Sequence, residues 1–425
     1  MKYNRPNAMN SRFAFAATAA VAFALTTPLP AGAATSTWST ETPLAQPAQG
    51  SVYVKSAVNA GGVAAAVWDQ RLTTSTSDVF VSVYAPGANG GWSPAKQLTA
   101  TPTLYSANAG VVVAPSGDVT VFWSESDLPY YTVYHNGAWS PATVVPADSG
   151  YGLIAGAGAD KDGNVQFAMA ARRPNGAYSA YDVEFVVMDS LGNWGSPIPL
   201  TRTPGAYPTF MMNSNGQGLL VAGYQAFRSA STGVWNRLPQ AIPSLAGQTY
   251  ATDVAMDAAG NGYFVLYNRY GGANVTTSTP TSAWTKLRRV TKFEVMGSSI
   301  YVTASSAGHA MIYGVDFTTG KLRASVTTTT GSTWGALTNI GLISGSAQAA
   351  GSETGLYAIA WDGKVTAGTG GGAGTGAWLT RSVSANPYFG DVALSGGNAA
   401  TVWLRGSDAT LTDYVIAARI GTVGP

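Results

Sequence analysis

The chain has 425 residues, with 23 Lys+Arg against 21 Asp+Glu and no cysteine. Without cysteine, a disulfide-stapled scaffold and a thiolate metal site are both excluded. Charged residues make up only 10% of the chain, against about 25% in an ordinary globular domain. No Lys/Arg-rich run appears after the N-terminal segment, so nothing supports nucleic-acid binding.

Residues 1–33 predict a secretory signal. Lys2, Arg5 and Arg12 form a basic start, and Phe13 to Leu25 is an apolar run of 13 residues, too short to span a bilayer. Pro28 and Pro30 end it, and Ala31-Gly32-Ala33 offers a small-residue cleavage site before Ala34. Removing the segment takes away three basic residues and no acid, leaving 20 against 21. The basic pI therefore belongs to the precursor, and no membrane anchor is expected after cleavage.

From Ala34 onward a repeat runs to the end. Tryptophans follow turn residues at Trp38, Trp92, Trp139, Trp194, Trp235, Trp284, Trp334 and Trp378. The strongest copies read "GGWSPAKQLT" and "NGAWSPATVV". Eight marks over about 390 residues give a period of about 49, in the range of propellers and solenoids. About 30 residues after each mark, a short apolar run closes on a large residue with Gly six positions before it. "GVAAAVW" at Trp68, "GDVTVFW" at Trp123, "GNVQFAM" at Met169, "GLLVAGY" at Tyr224, "GLYAIAW" at Trp361 and "GNAATVW" at Trp403 share this form. Tyr267 and Tyr313 occupy the slot in looser copies.

Each copy predicts four short strands. In the first they lie near residues 51–58, 62–70, 78–85 and 91–98, separated by "NAGG", "TTSTS" and "PGANGG". The most divergent copy spans Ser299 to Leu337. The last copy has strands near 388–394, 398–403 and 414–420 and ends one strand short, while the first is preceded by an unpaired strand around Trp38. That strand can complete the last blade and close the ring, which removes the exposed sheet edges. The expected fold is an all-β β-propeller of about eight four-stranded blades, with seven as the fallback, forming a single domain over residues 34–425.

In a propeller the B–C and D–A loops share one face, so residues just past the second large residue form a rim there. Six of the thirteen arginines after residue 33 fall in these windows: Arg71, Arg172, Arg173, Arg228, Arg269 and Arg405. Asp69, Glu125, Asp127, Asp316, Asp362 and Asp408 join them. Packing between blades is the ordinary use of Trp68 and Trp123, and ligand stacking is the other. A rim of guanidinium forks, carboxylates and indoles suits sugars and acidic ligands. The candidate binding residues are therefore Trp68, Asp69, Arg71, Trp123, Glu125, Asp127, Arg172, Arg173, Arg228, Arg269, Asp362 and Arg405.

No catalytic set stands out. Asp69 with Glu125, and Glu125 with Asp127, are the carboxylate pairings that glycoside hydrolysis could use. His135, in a C–D turn, and His309, at the start of a B strand, belong to the opposite face. "DKDG" at Asp160–Gly163 has alternating acids but lacks a distal Glu for calcium, and no metal or cofactor is expected. "GTGGGAGTG" at 368–376 has too many glycines for a phosphate-binding fingerprint.

The W-S-P…L and G-x-x-x-x-x-W repeats resemble those of secreted bacterial β-propellers in the sialidase-like and propeller-lectin group, over nearly all of the chain after residue 33. Thr327–Trp334, "TTTTGSTW", looks like a degenerate Asp-box with Thr329 at the Asp position. The Arg-Ile-Pro signature of sialidases is absent, and that family has six blades against eight copies here. The resemblance implies sugar-binding clefts between blades, built from Trp with Arg and carboxylates. The expected function is non-catalytic binding of a glycan or another extracellular ligand. The alternatives are a carbohydrate-active enzyme using the Asp69/Glu125/Asp127 sector and a protein-interaction platform.

Overall fold

The computed structural model describes residues 35–424 except 49–52, 72–75, 88–90, 100–102, 105–106, 126–127, 149–151, 173–179, 205–207, 245–248, 269–271, 291–299, 307, 317, 330–332, 370–377, 385–386 and 406–413. The signal-like segment, residues 1–33, lies outside them. Among the described residues all regular structure is β, arranged as eight antiparallel blades. Strands are lettered A to D from the centre outward. Blade 1 comprises Val54–Val58, Ala64–Arg71, Thr76–Ala85 and Gly91–Trp92. Blade 7 comprises Ala347–Gly351, Leu356–Trp361, Lys364–Thr369 and Leu379–Ser382. The divergent sixth copy forms a full blade from Ile300–Ala304, Ala310–Asp316, Lys321–Thr329 and Thr333–Trp334.

Blade 8 is completed from the other end of the chain. Pro387–Ser395, Asn398–Arg405 and Tyr414–Gly424 supply strands A to C, and Thr35–Trp38 adds strand D. The closing register runs from Thr35↔Gly424 to Trp38↔Gly421. Thr42–Ala48 continues along the other half of strand C. The expected closure is thus the one observed, and the outer edge of the last strand is covered.

The repeat has a local and a tertiary cause. Locally, the A–B turns place glycine where the backbone needs positive φ, as at Gly62 (84°) and Gly117 (96°). Two-residue hairpin turns fall at Asp362-Gly363 (φ 40° and 68°) and Asn136-Gly137 (φ 49° and 84°); both dipeptides suit the left-handed turn that strand twist favours. In the tertiary packing, successive residues of strand B face different neighbours. Ala65 and Val67 meet Val119, Val121 and Trp123 of blade 2, while Ala66 and Trp68 meet Val402, Leu404, Ile416 and Ala418 of blade 8. Both faces are buried, so the runs are apolar without alternation.

Each layer between blades receives one tryptophan from the outer part of a blade: Trp92, Trp139, Trp194, Trp235, Trp284, Trp334, Trp378 and Trp38, in blade order. Trp235 shows the packing most closely, stacked on Phe185 at 3.8 Å and 6°. The residue after the tryptophan fastens it. Ser93 Oγ accepts the Val83 amide at 3.0 Å, and Ser140 Oγ accepts the Val133 amide at 3.0 Å. The W-S dipeptide is therefore a strand C–D lock, and the proline after it cannot donate to further pairing.

Inner edges are fastened too. Asp253 of strand A in blade 5 accepts the Val302 amide of blade 6 at 2.9 Å. Asp391 of blade 8 accepts the Ser56 amide of blade 1 at 2.7 Å, with Lys55 at 3.8 Å.

Candidate functional site

The B–C and D–A connections share one face, as the fold requires, and the structure places those predicted rim residues that it describes. Trp68 and Trp123 are 0% and 1% exposed. Trp68 stacks on Phe80 at 5.9 Å, and Trp123 on Tyr130 at 5.8 Å. Their ring faces are packed, which removes them as stacking platforms.

Asp69 and Asp362 follow the strand-B tryptophans of blades 1 and 7, and both hold the chain entering strand A of their own blade. Asp69 Oδ1 accepts the Tyr53 amide at 2.6 Å, and its own amide donates to the Tyr53 carbonyl at 3.2 Å. Asp362 accepts the amides of Ser344 (2.7 Å) and Gly345 (3.2 Å) and the Ser344 hydroxyl. Glu125 Oε2 accepts Trp123 Nε1–H at 3.2 Å. Arg405 pairs with Glu41 in the closing segment. The strand backbones reach Arg71 and Arg172, whereas Asp127, Arg173 and Arg269 lie outside the described residues.

Arg228 is a correction. The spacing places it on the rim, but the strand-B run of blade 4 ends early, at Ala222, and a tight Gly223-Tyr224 turn sends the chain back. Arg228 therefore sits inside strand C, Gln225–Ser231, opposite Leu219. It is 7% exposed and donates to the Gly260 carbonyl and to Ser278 of blade 5, nearer the opposite face. Burial pushes its guanidinium down to about 10, opposed by the charge of Asp257. The same early turn puts Tyr224 at 36% exposure instead of in the packed slot.

The opposite face carries turns. His135 Nδ1 lies 2.7 Å from Asp118, and His309 sits at the end of an A–B turn. Asp160 of the "DKDG" turn accepts the amides of Asp162 and Asn164, the Asn164 side chain and the Thr232 hydroxyl of blade 4. Burial would raise its carboxyl, but these donors hold it below the usual range.

The rim carries a shallow cleft between blades 7 and 8, open to solvent, with enclosed room for little more than one water. Ser346, Ala360, Val383 and the Trp361–Lys364 hairpin turn form one wall, and Gly390, Thr401 and Trp403 the other. The turn is held shut by the Val383 and Ser384 amides, which donate to the Gly363 carbonyl at 2.7 and 3.0 Å. Trp361 Nε1 is engaged by Thr366 at 2.8 Å, and Lys364 Nζ covers the Trp361 ring at 4.3 Å. Trp403 Nε1 is buried and has no hydrogen-bond partner among the described residues. Thr401, 1% exposed, donates its hydroxyl to the Asp391 carbonyl at 2.9 Å.

Two further groups were not legible in the sequence. Tyr53, the residue clamped by Asp69, is 69% exposed. Glu184 is fully buried opposite Met169, with one oxygen taking the Asp148 amide at 3.0 Å. Burial pushes its carboxyl up; the Asp148 amide opposes this and the Asp148 charge adds to it. Its position inside the blade 2–3 layer keeps it from touching a ligand.

No protein-family model matches the sequence, and comparison with curated proteins gives no match. Solved structures share the fold. The BP39L lectin from Burkholderia pseudomallei is 15% identical, with 80% of this chain and 100% of that chain covered at a TM-score of 0.53. The polysaccharide lyase Uly1 is 9% identical, with 85% and 88% covered at a TM-score of 0.52. At these identities the likeness is one of fold.

Proposed function

We propose that this protein is a secreted, non-catalytic propeller that binds carbohydrate on its B–C/D–A face, at the cleft between blades 7 and 8. The observation that carries the reading is the cleft itself. It combines apolar walls, an indole edge, hydroxyls and a carboxylate at the mouth, the mixture that orients a polyhydroxylated ligand. Non-catalysis is favoured by what the rim carboxylates do. Asp69 clamps a backbone amide and Glu125 takes an indole N–H, which gives both members of the Asp69/Glu125 pairing structural partners. One structural neighbour is a lectin and another is a lyase, and fold alone does not choose between them.

A glycan array probed with residues 34–425, run beside a turnover assay on the glycans bound, tests this. Selective binding without new reducing ends or unsaturated products is expected. Turnover would overturn the non-catalytic reading. Folded protein that binds no glycan would overturn the carbohydrate reading and favour a protein-docking face.

A further inference from the structure

Resting on the carbohydrate reading, we infer that Tyr53 is an open platform on which a sugar ring of an extended glycan stacks, so that the ligand is an oligosaccharide chain and not a monosaccharide. Tyr53 is 69% exposed, the most exposed aromatic among the described residues. It stands where the chain enters strand A of blade 1, on the B–C/D–A face. Its backbone is fixed on both sides. The amide donates to Asp69 Oδ1 at 2.6 Å, and the carbonyl accepts the Asp69 amide at 3.2 Å. A tyrosine held in this way offers a large amphipathic face at little cost in conformational entropy. Its neighbours include polar groups: the Asp69 carboxylate opposite, and further along the strand Lys55, half exposed and 3.8 Å from Asp391. An exposed ring beside polar groups suits a sugar, whose C–H face packs on the ring while its hydroxyls meet the polar groups. A protein-docking centre calls instead for an enclosing, desolvated pocket.

The position recurs in the sequence. Tyr105, Tyr151, Tyr207, Tyr250 and Tyr388 also stand between strand D of one copy and strand A of the next or at the start of that strand. The backbone places Tyr250 in Thr249–Met256 and Tyr388 in Pro387–Ser395, at the strand-A end that opens on the same face. The other three lie outside the described residues. Single exposed aromatics are ordinary, but a tyrosine at one place in six of the eight copies is not scatter. Packing does not account for it in blade 1, where the side chain is exposed. An open platform also differs from a pocket in what it selects. It encloses no chain end, so it accepts an internal residue of a glycan, and contacts made along one chain act as linked binding events.

The test is calorimetric titration of cello-, xylo- and chito-oligosaccharides, and of the glycan that scores highest on the array, each from monosaccharide to hexasaccharide, into wild-type protein and the variants Tyr53→Ala and Tyr53→Phe. Alanine leaves the backbone amide that donates to Asp69, so the strand entry is kept, and circular dichroism and thermal melting establish that both variants fold. The expected result is affinity that rises with chain length, roughly tenfold loss for the longest chain in Tyr53→Ala, and near wild-type binding in Tyr53→Phe, which keeps the ring. Unchanged binding in Tyr53→Ala would overturn the inference while leaving carbohydrate binding intact. So would an affinity that does not rise beyond the monosaccharide. A loss in Tyr53→Phe equal to that in Tyr53→Ala would place the contact on the hydroxyl and overturn the stacking. No binding of any sugar by folded wild-type protein would overturn both readings. Should Tyr53→Ala not fold, Tyr53→Gln, which also removes the ring, takes its place.

Discussion

Blades 1 and 8 carry the same strand-B motif, Gly62–Trp68 and Gly397–Trp403, and bury both tryptophans. Neither indole N–H has a partner. Trp68 is flanked by Val54 and Phe80, and its layer is sealed. Trp403 is flanked by Gly390 and Ala417, and it walls a cleft. The motif therefore specifies the position of the indole, and the cross-strand neighbours decide whether that position is a plug or a pocket.

The comparison can be broken most severely at the ring closure. Deleting residues 35–38 removes strand D of blade 8 and uncovers the Gly421–Gly424 end of strand C. Loss of cooperative unfolding, or association through the freed edge, is expected in calorimetry and size-exclusion chromatography; an unchanged monomeric melt would contradict the closure. Next in size is Trp68→Ala, expected to cost about 3–5 kcal/mol by urea denaturation. Trp403→Ala should cost about 1 kcal/mol less, because part of its surroundings is already open. Equal losses would mean the two layers are packed alike.

The inner edge offers a second contrast. Asp391 has Lys55 beside it, whereas burial pushes the Asp253 carboxyl up to about 6, against the lowering effect of the Val302 and Val254 amides and the Lys55 charge. A carboxyl raised in the folded state binds its proton more tightly there. Its contribution to stability is fully present below the usual carboxylate range and is lost as pH rises towards 6. The loss is about 3 kcal/mol at most. Asp253→Asn should flatten this slope between pH 4 and 6 and leave the variant the more stable protein at pH 8. A slope unchanged in the variant would assign it elsewhere.

The smallest expected effect sharpens the main comparison. Ala417→Phe gives blade 8 the aromatic that blade 1 has beside its tryptophan. It should close the cleft and abolish glycan binding, at a cost in stability of about 1–3 kcal/mol. Retained binding in the folded variant would place the ligand away from Trp403.

The architecture was legible because its causes are local and repeated: a glycine at positive φ in each A–B turn, Asp-Gly and Asn-Gly hairpins, and a tryptophan per layer. The site was less so. Whether Asp69 faces a ligand or an amide depends on where strand A enters the blade, and no spacing in the sequence reports that. Arg228 was misplaced because strand B of blade 4 ends two residues before Tyr224, within a motif that otherwise matched. Gly390 and Ala417 flank Trp403, and their small size is informative only once the register sets them there. An alignment of the copies at those two flanking positions is the signal that could have found it.

The most direct test of the account is a crystal structure of the protein soaked with the glycan it binds best. The account predicts the sugar in the cleft between blades 7 and 8. A sugar bound in another groove between blades or at the mouth of the central channel, with this cleft unchanged, would contradict it.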